Sequence, residues 1–250
     1  MVLIYIFGVE KLKKYTISNV ISSFSVKPNE SISMLLGAGA SISSGIMSGG
    51  QMVWDFKRKI YCIENRVSEA TFPDMSKETA QREIQTYLDA TREHPSLYSR
   101  EEYSHYFEYL FGNKRDRDLY IQSKVKNVTP YLGYLCLGAL IIEGRIKFLN
   151  TTNFDDLIKA GVYAIDAGHS IKTISSAIEN SVGFNLNDGI PTILKMHGDY
   201  LVDHLKNTSE ELQALENSIN LKLQDVLHER GLIVVGYAGN DNSVMTVLEK

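Results

Sequence analysis

Four short, largely apolar runs, each broken at once by a glycine or polar turn, constrain the fold more than any other feature of these 250 residues. They are Ile32–Leu36 before Gly37-Ala38-Gly39-Ala40-Ser41, and Arg145–Asn150 before Thr151-Thr152-Asn153-Phe154-Asp155. The other two are Pro191–Met196 before His197-Gly198-Asp199, and Leu232–Val235 before Gly236-Tyr237-Ala238-Gly239-Asn240-Asp241. Short apolar runs of this kind read as strands buried on both faces. Helical periodicity lies between them, over Gln51–Ile63 and from Asp156 to about Ala167. A longer helix has Thr208 and Glu211 in capping-box spacing and Gly231 as its stop. Strands alternating with helices imply an α/β fold, a doubly wound, mainly parallel, Rossmann-like sheet. Such sheets bind ligands beyond the carboxyl ends of their strands. All four polar turns fall there.

The remaining segments fill in around the sheet. Val2–Phe7 reads as a strand or a buried helix start, residues 10–24 as a short amphipathic helix, and Ser170–Ile174 as a weaker strand. Residues 64–129 carry no strong strand pattern. Ala80, Ile84, Tyr87, Leu88 and Thr91 mark one helix face there, and Tyr103, Tyr106, Phe107 and Leu110 mark a second. We read residues 64–129 as a helical insertion within a single domain spanning 1–250, with the aromatic residues from Tyr98 to Phe111 serving helix packing. A helix from Pro130 through Glu143 returns the chain to the sheet.

Composition sets the outer bounds. With 26 Lys and Arg against 30 Asp and Glu, the net charge of −4 argues against a duplex-binding surface. The basic run Lys57-Arg58-Lys59 reads as the wet face of a helix. Cys62 and Cys136 are the only cysteines, too few for a four-cysteine zinc module, and a reduced, cytoplasmic protein is the default. Val2–Phe7 is too short to span a bilayer and lacks the flanks of a signal peptide, so no membrane segment is expected.

The turns carry the chemistry. Gly37, Ala38, Gly39 and Ser41 put small residues where main chain must approach a pyrophosphate, and the helix start beyond would offer N–H groups and a favourable dipole. The third glycine of the dehydrogenase fingerprint is missing, which disfavours hydride transfer. One of Asp155 and Asp156 is expected to cap the next helix. Imidazoles ordinarily titrate at about 6.5, so a histidine at such a strand end can accept a proton near neutral pH. Singly, each turn also serves packing, capping or solvent exposure.

Jointly, the turns resemble the NAD site of the sirtuin family. Gly45-Ile46 repeats the Gly-Ile after that family's glycine turn, Asn153-Phe154-Asp155 matches its Asn-Ile-Asp, and His197-Gly198 matches its catalytic His-Gly. Thr151–Asp155 and the Gly236-Tyr237-x-Gly239-x-Asp241 pattern look like the divergent sirtuin-like domains of bacterial antiphage proteins, family members that hydrolyse NAD rather than deacylate. The resemblance covers residues 31 to about 245 and leaves the insertion largely unmatched. This chain departs from the deacylases in lacking their paired Cys-x-x-Cys module. Met47-Ser48 replaces their Pro-Asp, Thr152 their Gln, and Tyr237 the Thr of their Gly-Thr-Ser strand end.

The resemblance implies a sirtuin-like domain that takes NAD as substrate and cuts its nicotinamide–ribose bond without a metal. It makes Asn153 and His197 catalytic, Asn153 orienting a ribose hydroxyl or water and His197 accepting a proton. Asp155 would bind the nicotinamide carboxamide. Gly37, Ala38, Gly39, Ser41, Gly45, Ile46, Thr152, Gly236, Tyr237 and Asp241 would complete the nucleotide site. A deacylase or ADP-ribosyltransferase, and a non-catalytic NAD or ADP-ribose sensor, stand as alternatives. Val244, Val247 and Leu248 have helical spacing with no Gly or Asn stop behind them. Sirtuin-like domains of this kind usually form the amino-terminal effector of longer proteins. Activation by self-association or by a sensing partner is therefore expected, with no direct nucleic-acid binding by this domain.

Overall fold

A computed structural model describes residues 4–5, 16–26, 32–175, 188–197, 223–224, 226–228, 230–239 and 242–248. Its sheet comprises β1 (Ile4–Tyr5), β2 (Ile32–Leu36), β3 (Phe148–Thr151), β4 (Lys172–Ser175), β5 (Thr192–Lys195) and β6 (Gly231–Val235). The strand order is β1-β6-β2-β3-β5-β4. The five strands β2 to β6 are parallel, and β1 pairs antiparallel with β6 at one edge. The register sets Leu36 beside Thr151 and Val235, Thr151 beside Lys195, and Lys195 beside Ser175. The strands thus finish in one row, and every turn that follows leaves from the same edge of the sheet.

Both faces of the sheet are covered, as uninterrupted apolar strands require. Leu36, Leu149 and Ile193 face a large core built with Phe56, Ile121 and Val162. Leu35, Leu194 and Leu232 face a smaller one built with Leu223 and Val244. The first core belongs to α2 (Gly49–Asn65), α3 (Glu78–Thr91), α4 (Glu102–Leu110), α5 (Lys114–Val125), α6 (Leu132–Ile142) and α7 (Leu157–Tyr163). The second belongs to α8 (Asn242–Leu248) and the helical residues Leu223 and Leu227. The helices after neighbouring β2 and β6 lie on opposite faces, so the topological switch point of this doubly wound sheet falls between them.

Local chemistry fixes the element ends. Ser48 starts α2 through a reciprocal capping box with Gln51, and Arg66 ends it in the left-handed conformation. Helices α6 and α7 cross at a glycine notch. A Cβ at Gly138 would lie 2.5 Å from the Gly161 carbonyl oxygen, and one at Gly161 would lie 2.3 Å from that of Tyr134. No side chain fits between those backbones.

The sequence reading shifts at several boundaries. Strand β3 begins at Phe148 rather than Arg145, because the N–H groups of Arg145 and Ile146 turn back onto the Leu140 carbonyl to close α6. Helix α7 stops at Tyr163 rather than near Ala167, where Asp166 instead accepts from the Gly168 N–H in a turn. Val2–Phe7 contributes the strand β1, and the helix expected over 10–24 is described as α1 (Ile17–Val26). The capping pair Thr208 and Glu211 lies outside the described residues.

The region 64–129 is helical, with one helix more than its apolar pattern predicts. The additional α5 hides Arg117 and Asp118 alongside Tyr120 and Ile121, and those buried charges mask its periodicity. The Lys57-Arg58-Lys59 run is not a wet face. Lys57 is fully buried, where its ammonium donates to Gln85 on α3 at 2.8 Å and pairs with Glu102 on α4. It also lies 4.5 Å from the centre of the Trp54 ring and 5.0 Å from that of Tyr106. Burial pulls its ammonium below the usual lysine range, and the Glu102 hydrogen bond opposes that. The pair joins the 64–129 region to the helix that follows the glycine turn.

Removing one partner of a buried pair leaves the other uncompensated, at a cost of about 3–5 kcal/mol. Lys57→Met is therefore expected to lower the urea midpoint sharply. The double variant Lys57→Met/Glu102→Leu is expected to recover a large part of that loss. An additive double variant would contradict the pairing.

Candidate functional site

The polar centre of the strand-end row is the hydroxyl of Ser41, in the 3₁₀ turn Ala38–Ser44 that follows β2. Ser41 is fully buried. Its Oγ lies 2.8 Å from Asp155 Oδ2, 2.8 Å from the Tyr134 hydroxyl and 3.0 Å from Asn153 Nδ2. Donor and acceptor roles follow from the groups themselves. A carboxylate only accepts and an amide nitrogen only donates. Ser41 therefore gives its single proton to Asp155 and accepts from Asn153, which obliges Tyr134 to donate. All three positions of the hydroxyl are filled. Burial pushes the Tyr134 phenol well above its ordinary range, and the Asp155 charge adds to it, in keeping with a phenol that holds its proton.

Asn153 and Asp155 come from the turn after β3. Thr151, the last residue of β3, shapes that turn by donating to the Leu36 carbonyl at 2.9 Å and accepting from the Asn153 N–H at 3.0 Å. The second proton of Asn153 Nδ2 goes to the Gly37 carbonyl at 3.0 Å. With both amide protons directed inward, Asn153 Oδ1 is left as a buried acceptor with no hydrogen-bond partner among the described residues. Only 7% of Asn153 is exposed. An orphaned acceptor at that depth costs on the order of 1–3 kcal/mol unless something donates to it.

Asp155 fulfils the capping expectation. Its Oδ1 accepts from the Leu157 N–H at 3.1 Å at the start of α7, while Oδ2 takes the Ser41 proton. Burial pushes this carboxyl above the usual carboxylate range, opposed first by the Ser41 hydrogen bond. Asp156, at the N-cap position, makes no capping bond with its side chain. Its carboxylate lies 3.2 Å from the Lys195 ammonium instead. Lys195 ends β5 and is 1% exposed. It also donates to the Phe154 carbonyl at 3.3 Å. His197, two residues further along and half-buried, has its ring centre 6.4 Å from that of Phe154.

In the glycine turn, Gly37 donates its N–H to the Val235 carbonyl, Gly39 to Gly236 and Ala40 to Gly37, each at 2.9 Å. These N–H groups are used within the protein, and the glycines let the turns after β2 and β6 touch. A Cβ on Gly37 would lie 2.6 Å from the Gly236 oxygen, and one on Gly236, whose φ is +66°, would lie 2.2 Å from the Ala40 nitrogen. Tyr237 sits against the same contact, packed on the smaller core. Gly45 ends the 3₁₀ turn in a left-handed conformation, Ile46 is buried in the larger core, and the half-buried Thr152 donates its N–H to the Leu36 carbonyl at 3.2 Å.

Asn153, Asp155, Ser41 and the glycine turn are thus brought into direct contact, and His197 faces the ring of Phe154, the residue between Asn153 and Asp155. Gly198 and Asp241 lie outside the described residues. Two participants escape the sequence reading. Tyr134 is hidden in an otherwise apolar helix. Lys195 had a signal, as a single cation within the buried run Thr192–Met196. Among the described residues there is no cluster of three or more His, Cys, Asp or Glu side chains, and no helix long and apolar enough to cross a membrane.

Residues 147–250 match the family model of the SIR2-like domain. The match takes in β3 and its turn, β5 and β6, and agrees with the sirtuin resemblance carried by the turns. A SIR2-like domain points to NAD-related activity in general. No curated protein matches the chain.

The abutting turns generate a stability contrast. Gly45 (φ +91°) has open space around the position of a Cβ, whereas Gly236 has backbone there. Gly45→Ala is expected to cost about 1–2 kcal/mol for its left-handed backbone. Gly236→Ala bears that cost and must also part the two turns. Its thermal midpoint should fall clearly further; equal losses would contradict the contact.

Proposed function

We propose that this chain hydrolyses NAD, cutting the bond between nicotinamide and ribose to give nicotinamide and ADP-ribose. The observation that carries the reading is the Oδ1 of Asn153, unpartnered among the described residues and buried where the strand ends meet. That atom can only accept, so it calls for a hydroxyl or water donor, which a ribose or its attacking water supplies. The Ser41 hydroxyl and the Gly37 carbonyl hold the amide in the orientation that presents it.

The chemistry asks little of the protein. The C1′–N bond breaks with its electron pair going to the pyridinium nitrogen, so nicotinamide leaves neutral without a general acid. The ribose carbon gains oxocarbenium character, as in glycoside cleavage. Water adds at that carbon and releases a proton, for which His197 is the nearby acceptor. Asn153 orients the water or a ribose hydroxyl. Ser41 positions Asn153 rather than touching the nucleotide, since its hydroxyl is already filled. By the resemblance to sirtuin-like antiphage domains, we extend the reading to a cytoplasmic defence effector that depletes NAD, switched on by self-association or a sensing partner.

Incubating the protein with NAD and separating the products tests the reading. Release of nicotinamide and ADP-ribose supports it. Release only with an acylated peptide would point to a deacylase, and binding without turnover to a sensor. Asn153→Ala and Asn153→Asp are each expected to lower turnover at least 100-fold, on the order of the contribution of a well-placed polar group. His197→Ala should fall within about 10²–10⁴-fold of wild type. Folded variants that retain wild-type rates would remove the assigned roles. Exhaustive chelation is expected to leave the rate unchanged, and zinc-dependent recovery after chelation would overturn the metal-free mechanism.

A further inference from the structure

We propose that Lys195 is a positioning residue that clamps the Asn153–Asp156 turn onto the end of β5, an inference that rests on the NAD-cleaving reading above. Lys195 is almost wholly buried, yet it carries a charge into a strand whose other residues are Thr192, Ile193 and Leu194. An apolar side chain there would be buried without desolvating an ammonium, and pairs of this kind are often no more stable than their apolar replacements. What the lysine adds is connection.

Its ammonium reaches two points of the neighbouring turn, the Phe154 carbonyl at 3.3 Å and the Asp156 carboxylate at 3.2 Å. These two residues flank Asp155, and Phe154 directly follows Asn153. Asp156 is available because Asp155 has taken over the capping of α7. On its other side Phe154 presents its ring to His197, which leaves β5 two residues beyond Lys195. One cation therefore holds the turn that bears Asn153 against the strand end that bears His197. Both groups assigned to the chemistry sit in a geometry that Lys195 ties together, although it touches neither reacting atom in this account.

The test compares wild type with Lys195→Met, which keeps the length and loses the charge, and with Lys195→Arg, which restores a charged donor. Circular dichroism reports folding, nicotinamide release from NAD reports kcat and KM, and amide hydrogen exchange is followed over residues 152–157. Lys195→Met is expected to lower kcat about 10- to 100-fold with KM changed less than about threefold, the pattern of misplaced reacting groups rather than lost binding. Exchange over residues 152–157 should rise about tenfold as the turn loosens. Lys195→Arg should restore most of both. Wild-type kcat and unchanged exchange in Lys195→Met would overturn the clamp. If that variant does not fold, Asp156→Asn severs the pair from its more exposed side and carries the same two expectations and the same overturning result. Should wild type release no nicotinamide, the activity reading fails alone, and exchange in the turn still decides whether Lys195 holds it.

Discussion

The arrangement at the strand ends depends on one hydroxyl. Ser41 has one proton to give and two lone pairs to fill, and two different elements use them: the β3 turn through both Asp155 and Asn153, and α6 through Tyr134. Because Asp155 cannot donate, the direction of each hydrogen bond around Ser41 is settled. That direction propagates outward to the Asn153 amide, whose protons point inward and whose oxygen does not. The glycine notch between α6 and α7 belongs to the same scheme, since it lets the helix bearing Tyr134 come close to the helix that Asp155 caps.

Two buried ammonium groups organise the surroundings. Lys57 lies between α2, α3 and α4, and Lys195 between β5 and the turn after β3. Each meets a carboxylate from a separate segment, so each pair joins pieces of chain that are distant in sequence. Nearby apolar contacts supply cohesion without direction. A short donor–acceptor distance inside a core selects one placement of a helix or turn among several of comparable apolar burial.

The sheet was legible because its strands are buried on both faces and so read as unbroken apolar runs, each stopped by a turn. The contact among Ser41, Asn153 and Asp155 was legible only as two motifs after separate strands. Parallel register brings them together, and register is not written in any one of them. Where the chain hides charge, the sequence misleads. Lys57 sits in a basic run that resembles a wet helix face, Arg117 and Asp118 mask the apolar period of α5, and Lys195 interrupts its apolar strand. For Lys57 and Lys195 the charged residue and its partner stand far apart in sequence, and hydropathy along the chain registers the cost of burial without the compensation. Tyr134 was missed for a different reason, since a tyrosine in an apolar helix looks like packing until its hydroxyl is given a partner.

The contact of the β2 and β6 turns has a consequence for how such a site can change over time. Where Gly37, Gly39 and Gly236 meet, the rim is made of peptide groups, which no substitution can alter in kind. Selection can act there only by keeping the glycines. Thr152 joins the same region through its backbone N–H, so its side chain is under no such constraint. Divergence of this sort erases most of the sequence while conserving the shape, so kinship persists as a few small residues at fixed places along an otherwise unfamiliar chain.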